Sequence, residues 1–182
     1  RRPSTFRSLC DRNLMARTFN GSTDRIDYAS LGDLGATAQT HMCRWTPGNV
    51  PLGVRYFGVA NLTGDAAFGV TMYQSGSKVA FWVERATTDL NRSSVSGELV
   101  NGVEETLCAT WDGGTDAANL HLYVSGVEPT YGTSTSGSGA IKTSDGSFSP
   151  GGDTYGDENK LNSEIEEYAL TTAVLDAHDH AA

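Results

Sequence analysis

Apolar residues in this chain come in short alternating runs, each closed by a cluster of Gly, Asn, Asp or Pro, and that regularity excludes most architectures. The turn clusters are GSTD at 21–24, TPGN at 46–49, LTGD at 62–65, QSGS at 74–77, WDGGTD at 111–116 and VSG at 124–126. Glycine supplies positive φ in such turns, and Asp or Asn side chains bond the turn backbone. Between them the side chains alternate. In KVAFWVER (78–85), Val79, Phe81 and Val83 fall on one face and Ala80, Trp82 and Glu84 on the other. In NLHLYVSG (119–126), Leu120, Leu122 and Val124 oppose His121, Tyr123 and Ser125. Segments that bury one face each and are joined by tight turns build an all-β, two-sheet antiparallel β-sandwich.

The spacing predicts strands near 17–20, 25–28, 38–46, 54–61, 66–74, 78–85, 92–100, 104–111, 118–125 and 163–170. Residues 132–139, GTSTSGSG, read as a low-complexity loop, and the FSPGGD stretch after it as nothing that builds a core. A short C-terminal helix is expected within 170–182, capped by Thr171 or Thr172 and pairing Val174 with His178. Trp45 and Trp111, at strand positions, are expected in the core.

Charge divides the chain in two. Residues 1–17 hold five arginines against one aspartate, a net +4, whereas the whole chain carries −9, which leaves −13 for the remainder. The expected organisation is a basic N-terminal arm over 1–16 and one domain over 17–182. The acidic balance argues against nucleic acid, whose backbone needs clustered Lys and Arg. No run approaches the roughly 18 apolar residues of a membrane span. The arm lacks the apolar core of a signal peptide. Met15 is a candidate natural start, so secretion stays open. The arm is suited to docking on an acidic partner surface, including other subunits of an assembly. Cys10, Cys43 and Cys108 are an odd set without C-x-x-C spacing, which speaks against zinc or a disulfide framework. Cys43 and Cys108 are expected as small buried residues, a bridge between them being the alternative.

Three ordered segments resemble the laminin-G-like branch of the concanavalin A-like lectin and glucanase superfamily. RTFNGSTDRIDY (17–28) is similar to its opening strand pair, TLCATWDGGTDAANLHLYVSGV (106–127) to its strand ending in [YW]-D-G with the following L-x-L-Y-V strand, and NSEIEEYALTTAVLDAHD (162–179) to its closing strand. The resemblance implies a jelly roll with first and last strands side by side. It departs at Ser163, where the family has Gly, at Glu166 for Asp, and at Ser125 for Asn or Asp.

Some relatives on this fold cleave β-glucans with carboxylates on alternate residues of one strand. Glu164 and Glu166 have that spacing, which suits the about 5 to 5.5 Å separation of a retaining pair. The third acid falls at Tyr168 or Ala169, so no catalytic set is assigned and the chain is read as a non-enzyme. His41, His121, His178 and His180 are scattered, without a G-x-S-x-G elbow. No cofactor is assigned; a structural calcium is the candidate, with oxygen ligands from Asp112 and Asp116, or from Asp24 or Asp27 beside Glu167. For a saccharide, which stacks on exposed rings, the candidates are Tyr73, Trp82, Tyr123, Tyr131 and Tyr155. The expected function is a non-catalytic recognition or adhesion module for a glycan or surface protein, displayed outside a cell or on a virion. An architectural coat, decoration or fibre protein held by its basic arm is the alternative, and a β-glucanase-like hydrolase a lesser one.

Overall fold

In a computed structural model, residues 17–20, 38–48, 54–60, 70–142, 148–151, 162–172 and 174 are described. They form eleven strands: β1 Arg17–Asn20, β2 Gln39–Thr46, β3 Val54–Ala60, β4 Val70–Ser75, β5 Lys78–Val83, β6 Leu90–Ser94, β7 Glu105–Trp111, β8 Leu120–Val124, β9 Tyr131–Thr135, β10 Phe148–Pro150 and β11 Asn162–Thr171. A single 3-10 turn, Ala117–Asn119, precedes β8. All pairings between strands are antiparallel, in a five-stranded sheet ordered β1-β11-β2-β7-β8 and a six-stranded sheet ordered β10-β3-β4-β5-β6-β9. The first and last strands are neighbours, as the resemblance implies.

The alternation predicted for β5 holds. Val79, Phe81 and Val83 enter the interior with Val70 and Met72 of β4 and Leu90 of β6, and meet Cys43, Trp45, Leu107, Ala109, Trp111, Leu120, Leu122 and Ile165 from the five-stranded sheet. Trp45 and Trp111 are core residues, 1% and 0% exposed. Their ring N–H groups are satisfied, Trp45 Nε1 donating to Ser163 Oγ at 2.5 Å and Trp111 Nε1 to the Gly114 carbonyl at 2.9 Å. Ser163 thus departs from the family pattern to the benefit of a buried indole. At the β4–β5 hairpin Gly76 takes φ +62°, a conformation that side chains rarely adopt.

Several sequence expectations are corrected. Tyr131–Thr135, read as loop from 132 on, is an edge strand on β6, and Phe148–Pro150 pairs with β3. The TSTS residues lack apolar side chains but include β-branched threonines, and pairing with an existing sheet satisfies their backbone. The strand predicted at 92–100 runs from Leu90 to Ser94 and then turns, because SGEL supplies Gly97 at φ +101°. Leu170 and Thr171 complete β11 rather than starting a helix; residues 173 and 175–182, like 1–16 and the predicted strand at 25–28, lie outside the described set. Cys43 and Cys108 are both buried and unbridged. Cys43 faces the interior, whereas Cys108 joins Met42, Tyr123 and Ala169 on the opposite face of the same sheet. Successive strand residues point apart, so no bridge can form between those positions.

Candidate functional site

The face of the six-stranded sheet turned away from the core is uncharged along two rows set by the register. One row runs Thr71, Trp82, Asn91, Thr135 and the other Tyr73, Ala80, Ser93, Thr133. Thr71, Tyr73, Ala80 and Ser93 are buried, Trp82 and Asn91 half-buried, and Thr133 and Thr135 exposed, so the face opens to solvent towards β9. Tyr73 and Trp82 lie with ring centres 6.3 Å apart, and Asn91 Nδ2 donates to the Tyr73 hydroxyl at 3.0 Å. Burial raises the Tyr73 pKa, a shift partly offset by the Asn91 bond. The phenol is therefore neutral and orients the Asn91 amide, leaving its carbonyl oxygen to other donors. Trp82 Nε1 is shut off from solvent, and among the described residues nothing accepts its hydrogen. An unmet buried donor costs about 1–3 kcal/mol.

The other aromatic candidates lie elsewhere. Tyr123 is 7% exposed in the apolar cluster behind the five-stranded sheet. Tyr131 sits at the sandwich edge, its hydroxyl accepting from Leu122 N and donating to Glu128 Oε1, while the Arg92 guanidinium lies 3.4 Å from its ring centre. That ring face is taken. Burial and the Glu128 bond push the Tyr131 pKa up. For Glu128, burial alone would raise the pKa, but the bonds from Tyr131 and His121 hold it below the usual carboxylate value. Tyr155 lies outside the described residues. Trp82, with Tyr73 as its support, is where the sequence candidates converge; Asn91, Ser93 and Thr135 were missed. The signal for them was the cross-strand register of β5, β6 and β9, which required the correct start of β6 and the existence of β9.

The WDGGTD turn spends its carboxylates on itself. Asp112 Oδ1 accepts from Gly114 N and Oδ2 from Asn119 Nδ2; Asp116 Oδ1 accepts from Ala118 N and Ser136 Oγ. Among the described residues no group of three His, Cys, Asp or Glu converges as a metal shell. These carboxylates thus serve turn and cap hydrogen bonds in the described structure. Asp24 and Asp27 lie outside the described residues, and Glu167 pairs in register with Arg44. Behind the turn, Arg85 is 6% exposed; Nη2 donates to the Gly114 carbonyl and Nη1 to that of Gly139, and the guanidinium lies 5.9 Å from the Trp111 ring centre. A Cβ on Gly137 would come within 2.5 Å of Arg85 Cδ and 3.0 Å of Leu90 Cβ. Gly137→Ala is expected to cost about 1–3 kcal/mol, read as a lowered urea midpoint.

Glu164 and Glu166 of β11 come together with Arg44 and Glu104 on the outer face of the five-stranded sheet. A bulge between Ile165 and Glu167 shifts the register, Glu164 lying opposite Thr46 and Glu167 opposite Arg44, and a hydrogen bond with Glu166, with Glu164 also near, raises the Glu104 pKa. Glu166 is ion-paired with Arg44. At the third position Tyr168 pairs across to His41 in the core and Ala169 joins the apolar cluster.

No protein-family model matches the chain, and no curated protein matches it. Among solved structures it is similar to the mouse laminin α1 chain, domains LG4-5, at TM-score 0.66 and 11% identity, over 90% of this chain and 43% of that one. It is similar over 92% of its length to 97% of the Ruminococcus gnavus IT-sialidase CBM40 bound to α2,3 sialyllactose, at TM-score 0.58 and 11% identity. Over 90% of this chain but 26% of that one, it also matches Trypanosoma rangeli sialidase, at TM-score 0.63 and 18% identity. The chain thus spans less than half of the laminin structure and about a quarter of the sialidase. The likeness is one of fold: a two-sheet antiparallel β-sandwich like that of the laminin LG4-5 and CBM40 domains, with no helix among the described residues long and apolar enough to cross a membrane.

Proposed function

We propose that this domain is a non-catalytic recognition module that binds a saccharide on the outer face of the six-stranded sheet, displayed outside a cell or on a virion. The observation that carries the reading is Trp82: a half-buried indole on that face, beside an Asn91 amide fixed by Tyr73 and next to the exposed hydroxyls of Thr133 and Thr135. A pyranose has the complementary chemistry, C–H groups for the ring and hydroxyls that both donate and accept. The lectin-type fold supports it, as does a CBM40 neighbour matched over nearly its whole length. A surface protein bearing such a sugar is the natural partner.

Trp82→Ala is expected to weaken glycan binding by about thirtyfold or more, as loss of about 2 kcal/mol at the centre of a small site does. The melting temperature should move little, because the ring lies outside the sandwich core. A glycan array probed with the wild type and the variant tests this; hits that survive Trp82→Ala unchanged contradict it. The charge division of the sequence favours a second reading, an architectural subunit anchored through residues 1–16. A silent array, with assembly lost on deleting those residues, would select it.

A further inference from the structure

We infer that the Trp82 face selects uncharged saccharides and rejects sialylated ones, an inference that rests on the saccharide reading above. Thr71, Tyr73, Ala80, Trp82, Asn91, Ser93, Thr133 and Thr135 include no ionisable group other than a phenol held neutral by burial. The described cations nearest in the fold each have a partner of their own. Arg85 is bound to the Gly114 and Gly139 carbonyls beneath the rim turns. Arg92 points to the interior side of β6, where it donates to the Leu120 carbonyl at 2.5 Å and covers Tyr131. Lys142 stands beside the face, ion-paired with Glu84 two residues on from Trp82, so that pair adds no net charge there; Arg44 is paired with Glu166 on the other sheet. Lys78 shares the outer face but starts β5, four residues from Trp82, roughly 13 Å along the strand. That is more than a Debye length at physiological salt.

A sialylated glycan brings a carboxylate. Seating it here would strip its hydration without an opposing charge, and an uncompensated ion against an uncharged surface is costly. The field of a chain with net charge −9 adds repulsion at long range. An uncharged hexose or N-acetylhexosamine meets neither cost. The indole takes its C–H face, and the Asn91 carbonyl and the exposed Thr133 and Thr135 hydroxyls meet its hydroxyls.

The test is an array of matched pairs, each an uncharged glycan and its sialylated form, lactose and α2,3 sialyllactose among them, followed by calorimetry on the best pair. The wild type should bind the uncharged member at least about tenfold tighter, a difference of about 1.4 kcal/mol. Its affinity should stay within about twofold between about 50 and about 500 mM NaCl. Thr135→Arg, an exposed edge position beside Asn91, should raise affinity for the sialylated member relative to the uncharged one about fivefold or more. Equal or tighter binding of the sialylated member, affinity that falls with salt, or no gain in Thr135→Arg would overturn the inference while leaving the saccharide reading intact. Binding to neither member of any pair would overturn both.

Discussion

Acidification from pH 7 towards pH 4 should destabilise this domain steeply, through one buried imidazole. His41 lies on the interior face of β2, 0% exposed, with Nδ1 at 2.7 Å from the Tyr168 hydroxyl, Nε2 at 2.9 Å from Gln39 Oε1, and the Phe81 ring edge-on at 5.1 Å. The consistent tautomer has Nε2 donating to Gln39 and Nδ1 accepting from Tyr168, whose own pKa burial drives up. Both nitrogens thus meet uncharged partners, and burial lowers the His41 pKa from 6.5 to about 3. Because the folded value is depressed, the unfolded chain binds the extra proton. The stability associated with a neutral His41 is fully present above pH 6.5 and is lost as pH falls towards 3. The slope is about 1.4 kcal/mol per pH unit, so two units remove roughly 3 kcal/mol from a total that is typically about 5–15. Urea titrations across pH 7 to 4.5 should show that slope in the wild type. In His41→Gln, which cannot titrate, the slope should flatten although absolute stability falls. An equal slope in both proteins would place the acid sensitivity in other groups.

Trp111→Ala should be the most damaging single truncation of the core, at about 3–5 kcal/mol. The ring is fully buried at the end of β7, donates to the Gly114 carbonyl, and lies under Arg85, whose Nη2 shares that same carbonyl. Removing it opens a cavity and takes away the surface on which a buried guanidinium rests. Trp111→Phe keeps an aromatic platform and loses chiefly the N–H donor, and should cost about half as much. Equilibrium urea unfolding separates the two. A cost below about 1.5 kcal/mol for Trp111→Ala would mean that the rim turns hold Arg85 without the indole.

Much of the sandwich was legible because its alternation is a local property. Val79, Phe81 and Val83 declare one face of β5 without any knowledge of neighbours, and Trp45 and Trp111 declare the core by their positions. The ordered resemblance of the opening, WDGG and closing segments reached the pairing of β1 with β11. Strand β9 was not legible: a TSTSGSG stretch has the composition of a linker, and only the pairing of its backbone with β6 makes it a strand. The site was legible in one residue. Trp82 could be read from its place opposite an apolar face. That Tyr73 supports rather than displays itself, that Asn91 stands beside the indole, and that Arg92 covers Tyr131 all depend on register between strands. The buried polar set of Gln39, His41 and Tyr168 joins residues far apart in sequence, and nothing local announces it.

The central claim, saccharide recognition at Trp82, is tested most directly by the indole N–H resonances of the three tryptophans. Trp45 and Trp111 Nε1 already donate within the core, to Ser163 and Gly114, whereas Trp82 Nε1 has no acceptor among the described residues. On titration with the best array hit, the Trp82 indole signal should shift in proportion to occupancy as the sugar packs on its ring, while those of Trp45 and Trp111 stay in place. A bound glycan that leaves the Trp82 signal unmoved, or that shifts resonances of the five-stranded sheet instead, would contradict the account.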